Sequence, residues 1–351
     1  MGEHMMKVLQ KKLLVLVICS TMISALVVMA ISFSNYGRIV ENNSGQIMQL
    51  MCSEKRQSID EKLLNIEQSV HSIYYFATEQ YNNIDSLWKN EEYYFEHISR
   101  MKELMLPTVK YTDGAVSVYY RLDSAILGPK QGVWFVQDEN GNYIEQEMTD
   151  FSLYDKDDIE HVGWYYIPLD KGKETWINPY YNENMDEEII SYVIPIVIDG
   201  KNIGVVGMDI ATNLLYENTK NVKVYNTGYA FLMDNEGDFV YHPEMKGNTI
   251  SKEFNIQHTY LYEKSLLSVE NQSVESYCWN DTNKRLIAQK LRNGMIFTVC
   301  VAEQEIKQPQ QKTLIDSVLV ISLILTGFVA LTVFLTKAIV RLIYTDAMTQ
   351  V

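Results

Sequence analysis

Asp209 stands in "IGVVGMDIAT", among Val206, Met208 and Ile210. An acid inside an apolar strand is costly to bury without a charged or hydrogen-bonding partner, so this position points to a bound group or a dedicated protein partner. The other titratable residues make weaker sets. His161, His242 and His258 are far apart in sequence and lack ligand spacing, and no GxSxG, HExxH or GxxxxGK[ST] motif occurs. Asp155, Asp157 and Asp158 in "YDKDDIEH" offer oxygens to a hard cation, but the loop glycine and closing glutamate of a calcium site are missing, which favours a solvated acidic turn. The four cysteines form no CxxC or Cys/His cluster; Cys278 and Cys300 share a β-rich region and read as unpaired, half-buried strand residues, with pairing the alternative. No catalytic set, metal site or cofactor is expected, which leaves binding rather than catalysis.

Composition narrows what could bind. The chain has 351 residues, 47% of them hydrophobic, enough for two domains with a core, and 30 Lys and Arg against 45 Asp and Glu give a net charge of −15. No basic run occurs between Tyr36 and Glu303, so nucleic acid is excluded as a general partner.

Two stretches have the length and apolarity needed to cross a bilayer core of roughly 30 Å. They are "LLVLVICSTMISALVVMAISF" (Leu13–Phe33) and "LIDSVLVISLILTGFVALTVFL" (Leu314–Leu335), giving spans over 13–35 and 313–336. A cleaved signal peptide is the alternative for the first, but the apolar run is long for one and no small-x-small site follows it. Lys7, Lys11 and Lys12 precede the first span while Lys337 and Arg341 follow the second, which places residues 1–12 and 337–351 in the cytoplasm and the intervening chain outside it. The expected location is therefore the cell membrane.

From Tyr36 to about Tyr81 the chain lacks proline, and Ile39, Ile47, Leu50, Met51, Ile59, Leu63, Ile66 and Val70 keep an interrupted 3-4 spacing, which predicts a long helix. A second helix, "NEEYYFEHISRMKELMLP", is expected to end at Pro107. "GAVSVYYRL", "QGVWFVQDENGNYIEQ" and "EEIISYVIPIVIDGKNIGVVGMDIAT" are β-rich, broken by turn signals at 139–141 and at Asp199-Gly200. Between them Asp155–Asp186 is too rich in Gly, Pro and Asn for a regular element. "GYAFLMDNEGDFVYHP" then reads as a hairpin, and "VESYCWNDTNKRLIAQKLRNGMIFTVCVAEQEI" as three more strands. The fold class is α+β: two antiparallel-sheet modules in series, about 82–215 and 216–306, each needing the long helix to cover an apolar face.

This order of parts resembles the double Cache sensor domain (dCache_1) of bacterial membrane receptors. The resemblance is carried by "GWYYIPLDKGKETWINPYYNENMDEEIISYVIPIVIDGKNIGVVGMDI" (Gly163–Ile210), "GYAFLMDNEGDFVYHP" (Gly228–Pro243) and "NGMIFTVCVAEQEI", and spans Tyr36 to Ile306. It implies a membrane-emerging helix supporting two PAS-like modules, with a small metabolite bound in the distal one. In amino-acid-binding members a cation two residues before a tryptophan holds the carboxylate; Trp164 is present, but Val162 takes the cation's place. A tyrosine and, two residues on, an aspartate help hold the ammonium; Tyr180 matches, and Asn182 replaces the acid. A last aspartate on the strand after the "GVVG" turn matches Asp209.

Without the cation a carboxylate ligand lacks its counter-charge. Arg121 in "VSVYYRLD" supplies it if strand alternation points Tyr119 and Arg121 inward; a partly exposed edge arginine is the other reading. Alternatively the ligand is neutral or cationic, enclosed by Asp209, Trp164, Tyr180 and Tyr181. Trp164 and Trp176 can instead pack the loop on the sheet, and Tyr180 can be a core residue. The ligand class implied is a small polar metabolite: amino-acid-like, an amine or a nucleobase.

After the second span, "TDAMTQV" resembles the entry of GGDEF-type diguanylate cyclase domains. Asp346, Met348 and Thr349 fit, while Gln350 stands where glycine is usual. The resemblance implies the sensory half of a diguanylate cyclase, inactive by itself and acting as a homodimer. Ligand closure would shift the long helix and a strand leading through Glu303 to Leu314, altering how the two protomers' second spans cross. A chemotaxis receptor is the main alternative. A structural module would instead show no ligand-sized cavity, and an ectoenzyme would require a catalytic cluster.

Overall fold

A computed structural model describes residues 2–79, 91–123, 130–244 and 255–349. The chain divides into two compact units, Met48–Val301 and the two chain ends. In the order of the chain the elements are α1 (Gly2–Glu79), α2 (Glu91–Tyr111), β1 (Ala115–Leu122), β2 (Gly132–Gln137), β3 (Tyr143–Glu145), α3 (Ile159–Lys171), β4 (Thr175–Asn182), β5 (Glu187–Ile198), β6 (Lys201–Ala211) and α4 (Thr212–Lys220). The remainder is β7 (Tyr229–Met233), β8 (Phe239–Tyr241), α5 (Asn255–Asn271), β9 (Glu275–Trp279), β10 (Thr282–Lys290), β11 (Ile296–Ala302) and α6 (Glu303–Thr349). The expected α+β class is present, as two sheets in series: β3-β2-β1-β6-β5-β4 and β8-β7-β11-β10-β9.

Both sheets are tied to α1. Met48, Cys52, Ile59, Leu63, Ile66, Val70, Ile73 and Ala77 form its buried stripe, while Ile39, Ile47 and Leu50 stand exposed, so the covering face begins later than the spacing alone suggested. Each fully buried aliphatic side chain contributes roughly 1.5–3 kcal/mol, enough for the stripe to fix the helix's path. Glu67 of α1 accepts from Trp176 Nε1 of β4 at 2.9 Å and from Arg292 Nε of the β10–β11 turn at 3.1 Å. One carboxylate thus holds both sheets. Asn178 Nδ2 of β4 also donates to Asn235 Oδ1 of the β7–β8 turn at 2.7 Å.

The first sheet is antiparallel throughout and has two unlike faces. Val118, Tyr120, Tyr192, Val206, Met208 and Ile210 are buried on the side where His71 of α1 meets Tyr192 Oη at 3.3 Å and His97 of α2 meets Tyr120 Oη at 3.0 Å. The opposite face carries Ser117, Tyr119, Val193, Val205, Gly207 and Asp209, and its apolar part packs with Val162, Trp164 and Tyr165 of α3.

Several expectations are corrected. The stretch Asp155–Asp186 is regular: α3 is started by Asp158, whose side chain accepts from the His161 backbone N–H, and stopped by Gly172 at φ 63°, and β4 follows. Side-chain capping and burial of Trp164, Tyr165 and Pro168 hold α3 together despite its internal proline. α2 likewise runs through Pro107 to Tyr111, held by buried Met101, Met105 and Val109 on one face. "GVVG" lies within β6 and is no turn; the chain reverses at Asp199-Gly200. Glu303–Leu314 is helix, not strand, because α6 starts at Glu303 with Glu303 and Glu305 in its first turn. Position 81, Asn90 and Gln350 lie outside the described residues.

α1 and α6 each contain a segment long and apolar enough to cross a membrane, with mean hydropathy 2.7 and 2.8 over the best stretch. Their apolar side chains are largely exposed, among them Leu16, Ile23, Leu323 and Ile324.

Candidate functional site

Asp209 sits at the centre of the α3-facing side of the first sheet, on β6 between Ser117 of β1 and Ser191 of β5. Its carboxylate is 2% exposed; Ser117 Oγ donates to Oδ2, and Oδ1 is buried without a hydrogen-bond partner. The Tyr119 hydroxyl is buried and unpartnered in the same way. The Ser191 and Tyr119 hydroxyls face the carboxylate and favour its charge, but burial dominates, and with the nearby Glu187 charge it raises the acid to a pKa of about 6.

Tyr119 reaches this place because its register partner on β6 is Gly207: a Cβ there would lie 2.5 Å from the tyrosine Cζ and Oη. Trp164 of α3 meets the Tyr119 ring edge-on at 4.6 Å and donates Nε1 to the His161 carbonyl at 2.9 Å. Asn184 closes the site from the β4–β5 turn: its Nδ2 donates to the same carbonyl at 3.0 Å and its backbone N–H to Asn182 Oδ1 at 3.0 Å. With Asn182 and Met185 from this end of the sheet, Trp134 from β2, and Met148 and Thr149 from the segment after β3, these residues line a cleft of about 10 Å³, room for one water. Among the described residues, none that lines it is Lys, Arg or His.

Of the expected site residues, the structure brings together Tyr119, Trp164, Asn182 and Asp209. Tyr180 joins them at one remove: its hydroxyl lies 3.0 Å from Ser191 Oγ, and its ring packs on the same cluster. Tyr181 does not. It is 43% exposed and donates to Asp186. The cause is a bulge in β4 between Ile177 and Tyr180, which reverses the alternation so that Tyr180 and Asn182 point inward and Tyr181 outward. Trp176 faces α1, through Glu67 and the Tyr192 ring at 5.0 Å.

Arg121 is no edge arginine. It is fully buried on interior strand β1, one rung beyond Tyr119 on the same face, but its guanidinium lies 4.2 Å over the Phe151 ring rather than in the cleft, and burial lowers its pKa to about 10. The residues that sequence reasoning missed are Ser117, Ser191, Gly207, Asn184 and the walls Trp134, Met148 and Met185. Only strand register reveals the first three. The cysteines are all free, with Cys278 exposed and Cys300 buried, so neither is half-buried.

Two antiparallel-sheet modules sharing one long helix, with a walled acid in the first, define a paired-module sensor architecture with an apolar helix at either end. Residues 53–309 match the Cache domain family, dCache_1, and the chain belongs to it. Among curated proteins, the methyl-accepting chemotaxis protein PctB of Pseudomonas aeruginosa is 24% identical over 124 residues, 35% of this chain and 19% of PctB. The chain therefore spans about a fifth of the length of the curated relative it matches. Among solved structures, the ligand-binding domain of the Campylobacter jejuni chemoreceptor Tlp3 in complex with 4-methylisoleucine superposes with a TM-score of 0.52 at 14% identity, covering 77% of this chain and 95% of that one. The extracellular domain mmHK1S-Z2, described as from a histidine kinase, gives 0.51 at 16% identity, covering 76% and 99%. These likenesses show the fold.

Proposed function

We propose that the chain is the sensory region of a two-span membrane receptor whose sheet modules lie outside the cytoplasm and bind a small polar metabolite at the Asp209 cleft. The observation that carries this reading is the buried, unpaired Asp209 Oδ1 beside the equally unpaired Tyr119 hydroxyl. An orphaned buried polar atom costs about 1–3 kcal/mol, a cost that packing alone gives no reason to keep. Tlp3, which shares the fold, was solved with an amino-acid derivative, which supports metabolite binding here.

One observation favours a second reading, a structural module: the cleft is too small for a metabolite. Under the sensor reading its walls must move, and Met148 and Met185 are the wall residues suited to that, Met side chains being unbranched and adaptable. Thermal unfolding of the full chain in nanodiscs against amino acids, amines, nucleobases and carboxylates separates the two. A compound at about 100 times its dissociation constant adds roughly 2.7 kcal/mol, a shift of several degrees. No shift with any class supports the structural module.

The signal is proposed to leave through α6, with two copies acting together. Asp346, Met348 and Thr349 support a diguanylate cyclase output. The PctB match supports a methyl-accepting chemotaxis output equally. The coding sequence downstream of Val351 distinguishes a GGDEF domain from a HAMP unit and coiled coil.

A further inference from the structure

The second sheet repeats the strand order of the first: β8, β7, β11, β10 and β9 follow one another as β2, β1, β6, β5 and β4 do. In this correspondence Cys300 takes the place of Asp209. Each stands two residues before the end of its strand, and Cys300 is paired with Tyr229 of β7 as Asp209 is with Ser117 of β1. The polar groups around the two places differ. Lys284 of β10 brings a cation to the second, and a carboxylate of the chain's own already meets it: Glu244 Oε1 accepts from Lys284 Nζ at 3.0 Å, and Oε2 accepts from Trp279 Nε1 at 2.6 Å and from Asn280 Nδ2 at 3.5 Å. We infer that this is a second binding site, for a compact monocarboxylate that takes the place of the Glu244 side chain. The inference does not rest on the Asp209 cleft, and either can fail alone.

The receiving groups have anchors other than Glu244. Trp279 is 2% exposed, packed in the core of the second module, and Lys284 Nζ also donates to the Tyr229 hydroxyl at 2.9 Å and lies 4.5 Å over that ring. Donors fixed in advance lose little freedom when a ligand arrives. The Lys284 side chain is 11% exposed against 37% for Glu244, so the cation lies deeper and the carboxylate reaches it from the solvent side, a route open equally to a carboxylate from solution. Glu244 lies beyond the end of β8, outside any regular element, with its backbone N–H donating to His242 Nδ1 at 3.2 Å. Turning its side chain into water therefore breaks no strand pairing. Glu244 also leaves a donor unused: the Tyr277 hydroxyl is buried without a hydrogen-bond partner, beside the Cys300 thiol.

Charge decides the class of ligand. With Glu244 turned away, Lys284 becomes a largely buried cation beside neutral groups: the Tyr229 and Tyr277 hydroxyls, the Cys300 thiol, and His242, whose pKa burial lowers to about 4. A buried charge stripped of its partner is costly, so an acid that restores the counter-charge is favoured where an amine or an amide is not. Size follows from what is replaced. The outer part of a glutamate side chain is a propionate, and the Phe239 and Trp279 rings offer apolar surface to a short alkyl remainder.

The test uses the full chain in nanodiscs at pH 8 and constant ionic strength, with propionate as the probe and propionamide as its neutral match. The expected result is a raised melting temperature with propionate alone. A site that its own Glu244 leaves open about 1–10% of the time should bind propionate about 100- to 10-fold tighter once Glu244→Ala removes the internal competitor. Lys284→Met should weaken propionate binding about 10- to 100-fold relative to wild type. If Glu244→Ala does not fold, the comparison of wild type with Lys284→Met decides by the same measurement. Equal affinity in wild type and Glu244→Ala, or a response that survives Lys284→Met or is matched by propionamide, places the probe elsewhere and overturns the inference. A response in Glu244→Ala alone makes Glu244 a permanent occupant, and no response in either chain makes the contact a plain internal ion pair. Both of these results overturn the inference and leave the Asp209 cleft untouched.

Discussion

Asp209→Asn should make the protein more stable, not less. In the folded chain the Asp209 carboxyl titrates at about 6, against about 3.9 for an unfolded aspartate. At pH 8 both states are ionised, and the folded state bears the full cost of a buried charge: about two pKa units, or roughly 3 kcal/mol. As pH falls from about 6 to about 4, the folded state takes up a proton that the unfolded state does not, so stability rises through that window. Below about 4 both states are protonated and the penalty is gone. An asparagine in this position would carry no charge at any pH and would still accept from Ser117. The variant should therefore melt about 6–12 °C above wild type at pH 8 and converge with it near pH 4. Intrinsic fluorescence follows the melt, Trp134 and Trp164 of the cleft being two of the five tryptophans, and taking the difference between two chains cancels the other titrating groups. A variant less stable than wild type at pH 8, or an offset that persists unchanged at pH 4, would refute the account of Asp209 as a stored electrostatic cost. Stability given up at one residue is what a site kept for binding looks like.

Gly207→Ala should cost about 1–3 kcal/mol in urea unfolding, because the new methyl group would lie 2.5 Å from the Tyr119 ring and hydroxyl; a cost under about 0.5 kcal/mol would show that the ring moves freely. Asn184→Ala removes the bond to the His161 carbonyl and should lower stability by about 1 kcal/mol while raising hydrogen exchange in the turn 183–186, and unchanged exchange there would remove Asn184 as its tether. Among the sheet cysteines, maleimide at pH 8 should modify exposed Cys278 at once. Cys300 and Cys52, buried and with thiols pushed up to about 11 and about 12, should react only on unfolding, and rapid native-state labelling of either contradicts the packing.

Elements with local signals were readable from the chain. Hairpins announced by Asp199-Gly200 and by 235–237 fall where the turn residues placed them, since left-handed backbone geometry is a local demand. α3 was not readable from periodicity because Pro168 and Gly163 interrupt it, although Asp158 before and Gly172 after it mark both ends. The site divides in the same way. Asp209 betrays itself by polarity among apolar neighbours, and Trp164 by its place in the resemblance. Ser117 and Ser191 flank Asp209 only through strand pairing across 92 and 18 positions of chain, which no local pattern encodes. The exchange of Tyr180 for Tyr181 turns on one bulge, and a bulge shifts every later side chain in the strand to the other face.

β11 ends at Ala302 and α6 begins at Glu303, so strand passes into helix with no linker. An unbroken helix has a phase. Each residue added between Glu303 and Pro309 would turn everything downstream by about 100° and carry it about 1.5 Å further along the axis, and after three or four additions the original facing nearly returns. Output plotted against the number of added residues would therefore oscillate with the helical repeat if the message is a rotation, and would change steadily in one direction if it is a push.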